Sequence, residues 1–119
     1  DLIIVWTQGA VEPMIPIWVE GGVNGLWVCS AAAGRVDYVE LRQRYGPDLV
    51  LLGGIDAHAL YEDRAAIDHA MAHVPALLAQ GAYIPMADER VRCGVPFVNY
   101  RYYRERIRKL AEQMWRTKP

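Results

Sequence analysis

The sequence predicts an α/β fold of four βα units around a parallel sheet, and three observations carry that expectation. Four short apolar runs recur, Leu2–Val5, Leu26–Val28, Leu49–Leu52 and Ala82–Ile84. Each is near-continuous, the pattern of parallel strands buried on both faces. Each is followed by a helical pattern, and the runs start roughly 25 to 35 residues apart, the size of one βα unit. Two architectures fit: a small open α/β sheet, or half of a (β/α)8 barrel. A complete barrel takes about 250 residues, and this chain has 119.

The helical patterns follow in order. Glu12–Glu20 carries Met14, Ile17 and Trp18 and stops at Gly21-Gly22. Val36–Tyr45 carries Val36, Val39 and Leu41, with Gly46-Pro47 as its stop. The third starts near Asp63 and runs Ile67, Ala70, Met71, Val74 and Leu77 or Leu78 along one face. Pro75 should kink or split it, and Gly81 closes it. The fourth, Phe97–Trp115, has Tyr100, Tyr103, Ile107, Leu110 and Met114 as its stripe. Arg101, Arg104, Arg108 and Lys109 lie mostly off that stripe.

Composition bounds the rest. Residues 1–119 read as one domain, 53% hydrophobic and 23% charged, which fits a soluble globular chain. No apolar run reaches the ~18 residues of a membrane span, so no membrane partner is expected. Cys29 and Cys93 are too few for a disulfide scaffold or a four-thiolate zinc site. Nothing at the N-terminus resembles a signal peptide, which leads to the expectation of a cytoplasmic protein. The chain opens directly on an apolar strand, Asp1-Leu2-Ile3-Ile4-Val5-Trp6, and this raises the expectation of a longer parent chain.

The net charge of −1 argues against bulk attraction to nucleic acid. Its distribution is uneven. Residues 1–89 hold four basic and twelve acidic side chains, and residues 90–119 hold nine and two. A solvated basic face on the last helix accounts for this. Tyr and Arg interleave over Tyr100–Arg108 as on stacking surfaces, but the tyrosines fall on the buried stripe. No nucleic-acid partner is expected.

In either architecture ligands meet the C-terminal ends of the strands. That rule selects Trp6, Thr7, Gln8 and Gly9; then Trp27, Cys29 and Ser30; then Gly53, Gly54, Ile55 and Asp56; then Met86, Asp88, Glu89 and Arg90. Aromatic, amide, carboxylate and glycine together suit a large, partly apolar ligand with a polar rim. Gly53-Gly54 permits close backbone approach to a ligand, or simply a tight turn. Asp56 is a ligand carboxylate or, more simply, a helix cap. Asp88-Glu89 are adjacent carboxylates suited to acid–base work if crowded, or part of a surface ion cluster with Arg90 and Arg92. Cys29 is placed to meet substrate or to pack as a buried thiol. His69 and His73 stand four apart, opposite the apolar stripe and without an HExxH glutamate, which reads as a surface pair.

Three stretches, GAVEPMIPIWVEGGVNGL, AAAGRVDYVELRQRYGPDLVLLGGID and GAYIPMADERVRCGVPFVNYRYY, resemble the C-terminal part of uroporphyrinogen decarboxylase-like proteins. That superfamily includes the heme-pathway decarboxylase and the corrinoid-linked methyltransferases. The second stretch is the most specific, with Arg42-x-x-Tyr45-Gly46 leading to a strand, Gly53-Gly54 and Ile55-Asp56. The resemblance covers nearly the whole chain and implies the C-terminal half of a (β/α)8 barrel, its last four βα units. The loop Cys29–Val36 differs from the family pattern by about a residue.

The resemblance implies a function too. In the decarboxylase, acid-catalysed pyrrole protonation precedes loss of CO2 from a tetrapyrrole side-chain acetate, with no cofactor. Glu89 stands where the heme-pathway enzymes carry a His and many methyltransferases a zinc-binding Cys. Trp6 stands where the methyltransferases carry a zinc-binding His. No metal and no cofactor are therefore expected, and Glu89 is the candidate catalytic acid. Trp6, Gln8, Trp27, Cys29, Gly53, Gly54, Asp56 and Asp88 are the candidate substrate-binding residues. The decarboxylase's pyrrole-holding Asp and its arginines come from the N-terminal half. The expected partners are thus a tetrapyrrole-like small molecule and either a missing N-terminal half-barrel or a second copy in a homodimer. The segment alone is expected to be inactive. The alternatives are a corrinoid-linked methyltransferase-like protein, or a non-catalytic module that binds a tetrapyrrole or corrinoid or serves assembly.

Overall fold

The computed structural model describes residues 1–31 and 36–117. The first βα unit is β1 (Ile4–Gln8), a 3₁₀ turn (Glu12–Met14) and α1 (Ile15–Glu20). The second is β2 (Gly25–Cys29) and α2 (Tyr38–Tyr45). The third is β3 (Val50–Ile55), a 3₁₀ turn (Ala57–Tyr61), α3 (Arg64–Ala70) and α4 (Val74–Gln80). The fourth is β4 (Tyr83–Ala87) and α5 (Phe97–Thr117).

Local chemistry explains the boundaries. Asp37 caps α2, its carboxylate accepting from the N–H groups of Val39 and Glu40 at 2.8 and 3.2 Å. Asp63 caps α3 through Ala66 N–H. Pro75 splits the third helical pattern, as the sequence predicts. It removes a backbone donor, so α3 ends at Ala70 and α4 starts afresh with the proline in its first turn. The loop Cys29–Val36, with its expected length difference, includes 32–35, outside the described residues.

The sheet has four strands in the order β1-β2-β3-β4, every neighbouring pair parallel. Val5, Leu26, Leu51 and Tyr83 line up across it in one row, and Trp6, Trp27, Leu52 and Ile84 in the next. Successive residues of a strand point to opposite faces. The first row packs into one core with Ile15, Leu41, Ile67, Leu77 and Tyr103 of the helices. The second row is open: Trp6 is 69% exposed and Ile84 52%.

The open face corrects the expectation of strands buried on both sides. It also sets aside an open sheet covered on both faces. Parallel crossovers are right-handed, so an order that advances without reversal puts every helix on the same side. β1 and β4 also run three residues past the ends of their apolar runs. Trp6, Thr7 and Gln8 join β1 because a strand with one open face has no need to be apolar throughout.

Candidate functional site

The rule that ligands meet the strand ends leads to the C-terminal edge of the open face. There β1 and β2 bring four of the expected residues together. The Trp6 and Trp27 rings lie 6.1 Å apart, tilted by 49°. Trp6 Nε1 donates to Cys29 Sγ at 2.7 Å, across the two strands. Gln8 is the register partner of Cys29 and is exposed. Cys29 is thus buried beneath an indole of the open face, not within the helical core.

Trp27 Nε1 is buried and has no hydrogen-bond partner among the described residues. A buried N–H without an acceptor is costly, so this atom is where an incoming acceptor gains most. It lies beside Gly53, where an added Cβ would come 3.7 Å from it. Gly53 and Gly54 both have positive φ, +97° and +81°. The two readings of this pair separate here. Gly54 is accounted for by the fold, because its missing side chain leaves space for the Tyr38 ring. Gly53 keeps the ground beside Trp27 clear.

The carboxylates divide in the same way. Asp56 caps the Ala57–Tyr61 turn, accepting from His58 N–H at 2.9 Å, with His58 Nδ1 at 3.6 Å. Asp88 is 2% exposed, and its carboxylate accepts from Ala57 N–H at 3.0 Å. Its backbone donates to Ile55 and accepts from Ser30. Asp88 therefore ties the ends of β2, β3 and β4 together. Glu89, the next residue, turns away into a small cavity of about 290 Å³. Ala57, His58, Tyr61, Arg90 and Arg92 complete its lining, and Arg92 Nη2 stands 3.8 Å from Glu89 Oε1.

A second, wider groove of about 850 Å³ lies outside the sheet, with Asp37 and Tyr38 of the α2 end facing His69 and His73 of the α3 region. His73 is half-buried, not the surface residue its spacing suggests, and its Nε2 lacks a partner among the described residues. Burial pushes the imidazole below its ordinary pKa, opposed by the Asp37 charge and the Gly54 backbone.

Among the described residues no group of three or more His, Cys, Asp or Glu side chains is placed to hold a metal ion. Among them, too, no helix is long and apolar enough to cross a membrane. No protein-family model matches the chain, and no curated protein and no solved structure matches it.

Sequence reasoning passed over His58 and Tyr61, which face Glu89 across the small cavity. It picked out Arg90 by its strand-end position but considered Arg92 only as part of a surface ion cluster. Extending the strand-end rule into the loops that follow β3 and β4 is the signal that could have found His58, Tyr61 and Arg92.

Proposed function

We propose that the chain is the C-terminal half of a (β/α)8 barrel of the uroporphyrinogen decarboxylase-like type, which binds a tetrapyrrole-like ligand at its C-terminal mouth. One observation carries the reading: the open sheet face ends in a tryptophan pair, Trp6 and Trp27, with an orphaned indole N–H beside Gly53. The exposed Trp6 indole suits a conjugated macrocycle, and the orphaned donor suits a polar group on it. The unreversed strand order supports the barrel half, because a barrel interior is a face that no helix covers. The missing wall comes from an N-terminal half or from a second copy.

The division of labour follows. This half supplies the aromatic platform and, at the β4 end, Glu89 with Arg90 and Arg92. In the decarboxylation, Glu89, once it has left the small cavity beside Arg92, delivers the proton to a pyrrole carbon. The bond to the acetate carboxyl then breaks, and its electrons form an exocyclic C=C that neutralises the ring as CO2 leaves; a proton added to that carbon and loss of the ring proton restore the pyrrole and leave a methyl group. The groups that hold the pyrrole belong to the other half. The chain alone therefore binds without turnover.

Absorbance titration with coproporphyrin tests this. The expected result is a saturable shift of the Soret band with quenching of tryptophan fluorescence, both lost in a Trp6→Ala, Trp27→Ala variant, and no CO2 release. Absence of a saturable shift would overturn it. Cobalamin titrated in parallel separates the corrinoid-linked reading, which expects the tighter binding there.

A further inference from the structure

We propose that the small cavity between the Ala57–Tyr61 turn and the loop after β4 is a carboxylate subsite, in which Glu89 is an internal occupant that a ligand carboxylate displaces. The ligand class rests on the tetrapyrrole reading, whose side arms end in carboxylates. The site itself rests on the following geometry.

The cavity is formed by two segments held against each other. Gly94 packs on the Tyr61 ring so closely that an added Cβ would lie 3.0 Å from Tyr61 Cε1. At about 290 Å³ it admits a carboxylate arm and not a macrocycle. Its charged lining is two guanidiniums, Arg90 and Arg92, against one carboxylate, Glu89. His58 adds an imidazole that already has Asp56 at 3.6 Å. Arg90 has no ion pair among the described residues.

Glu89 and Arg92 stand at 3.8 Å, near the outer edge of an ion pair, with the Arg92 side chain 65% exposed. Such a contact is weak. Planar guanidiniums hold carboxylates best in a paired, bidentate fashion. A ligand carboxylate reaching both arginines gains more than Glu89 does from one. Glu89 then swings aside, and its charge works against the ligand.

The test is a ¹H–¹⁵N NMR titration of the 119-residue chain with succinate, with inorganic phosphate in parallel. Saturable shifts are expected at the amides of Ala57, His58 and 89–92. Arg92→Gln should weaken succinate by about threefold and Glu89→Gln should tighten it by about as much, the range of exposed ion pairs. Arg90→Gln gives a second reading of the first effect, and each variant's spectrum reports its folding. Absence of saturable shifts, no response to either arginine change, weaker binding in Glu89→Gln, or phosphate binding tighter than succinate would each overturn the proposal. Succinate binding without coproporphyrin binding removes the tetrapyrrole reading and leaves the subsite. The reverse removes the subsite alone.

Discussion

The Tyr38 ring fills the space that a side chain on Gly54 would need: a Cβ there would lie 2.6 Å from Tyr38 Cδ2. The same tyrosine reaches between two strands. Its hydroxyl accepts from Val28 N–H at 3.0 Å and donates to the Leu52 carbonyl at 2.6 Å. β3 departs from regular geometry at Gly53 and Gly54, and the phenol takes over the hydrogen bonding at that point. Burial raises its pKa well above the ordinary tyrosine value, so it stays a donor. Gly54→Ala is expected to destabilise by about 3 kcal/mol, from overpacking together with a left-handed backbone. Tyr38→Phe leaves Val28 N–H unsatisfied and should cost about 1.5 kcal/mol. Urea unfolding midpoints check both. A Tyr38→Phe cost as large as that of Gly54→Ala would show that the hydroxyl matters as much as the fit of the ring.

Arg42 should prove the most sensitive charged residue in the chain. It is 4% exposed, yet belongs to no ion pair among the described residues. Its Nη1 donates to the carbonyls of Gly46 and Leu49, and its Nη2 to those of Gly81 and Ala82. One guanidinium thus joins the end of α2 to the starts of β3 and β4. Arg42→Met keeps the stem but removes this donor from all four carbonyls, of which Ala82 keeps Leu51 N–H, at a cost of about 3 kcal/mol. Arg42→Lys should recover little, because a single ammonium cannot span four acceptors arranged for a fork. Thermal unfolding of both variants decides it.

His73 gives the fold a pH dependence of known sign. Its pKa in the folded chain is lowered from 6.5 by burial. Below 6.5 the unfolded chain therefore binds more protons at this residue than the folded chain does. Stability falls as pH drops from 6.5 through the lowered value, and rises again on return. His73→Asn should flatten that part of the profile. Wild-type and variant unfolding compared between neutral pH and mildly acidic pH reports it as a difference, in which the carboxylates cancel. Parallel profiles would refute the assignment.

The repeat of apolar run and helical stripe was readable because each depends on neighbours close in sequence. Pro75 and the Asp56 cap were readable for the same reason. Long-range satisfaction was not. Arg42 shows in the sequence only as a charge on an amphipathic helix, and its acceptors at Gly81 and Ala82 lie 39 and 40 residues away. The open face was hidden for a different reason. An apolar strand looks alike whether its second face meets a helix or waits for another wall. At the site, the strand-end rule picks out Trp6, Trp27 and Cys29, which the structure brings together, whereas the bond from Ala57 N–H to the Asp88 carboxylate, 31 residues away, leaves no mark in the sequence.

The open face has a consequence for assembly. Ile4, Trp6 and Ile84 expose large apolar surface on it. β1 and β4 also end the sheet as edges, with unpaired backbone groups. Both edges run in the same direction, so β4 of one copy can pair in parallel with β1 of another, and two such junctions close eight strands around a two-fold axis. The chain is therefore expected to sediment above its 13.5 kDa monomer mass at micromolar concentration. Ile84→Lys puts a charge on the face and beside the β4 edge without touching the helical core, and should return the chain to monomer with its circular dichroism unchanged. Sedimentation at the monomer mass across the concentration range would exclude closure by a second copy, and on the proposed half-barrel reading the completing wall would then be a separate N-terminal half. Adding that half would then have to quench the tryptophans, since Trp6 and Trp27 lie on the surface that it must cover.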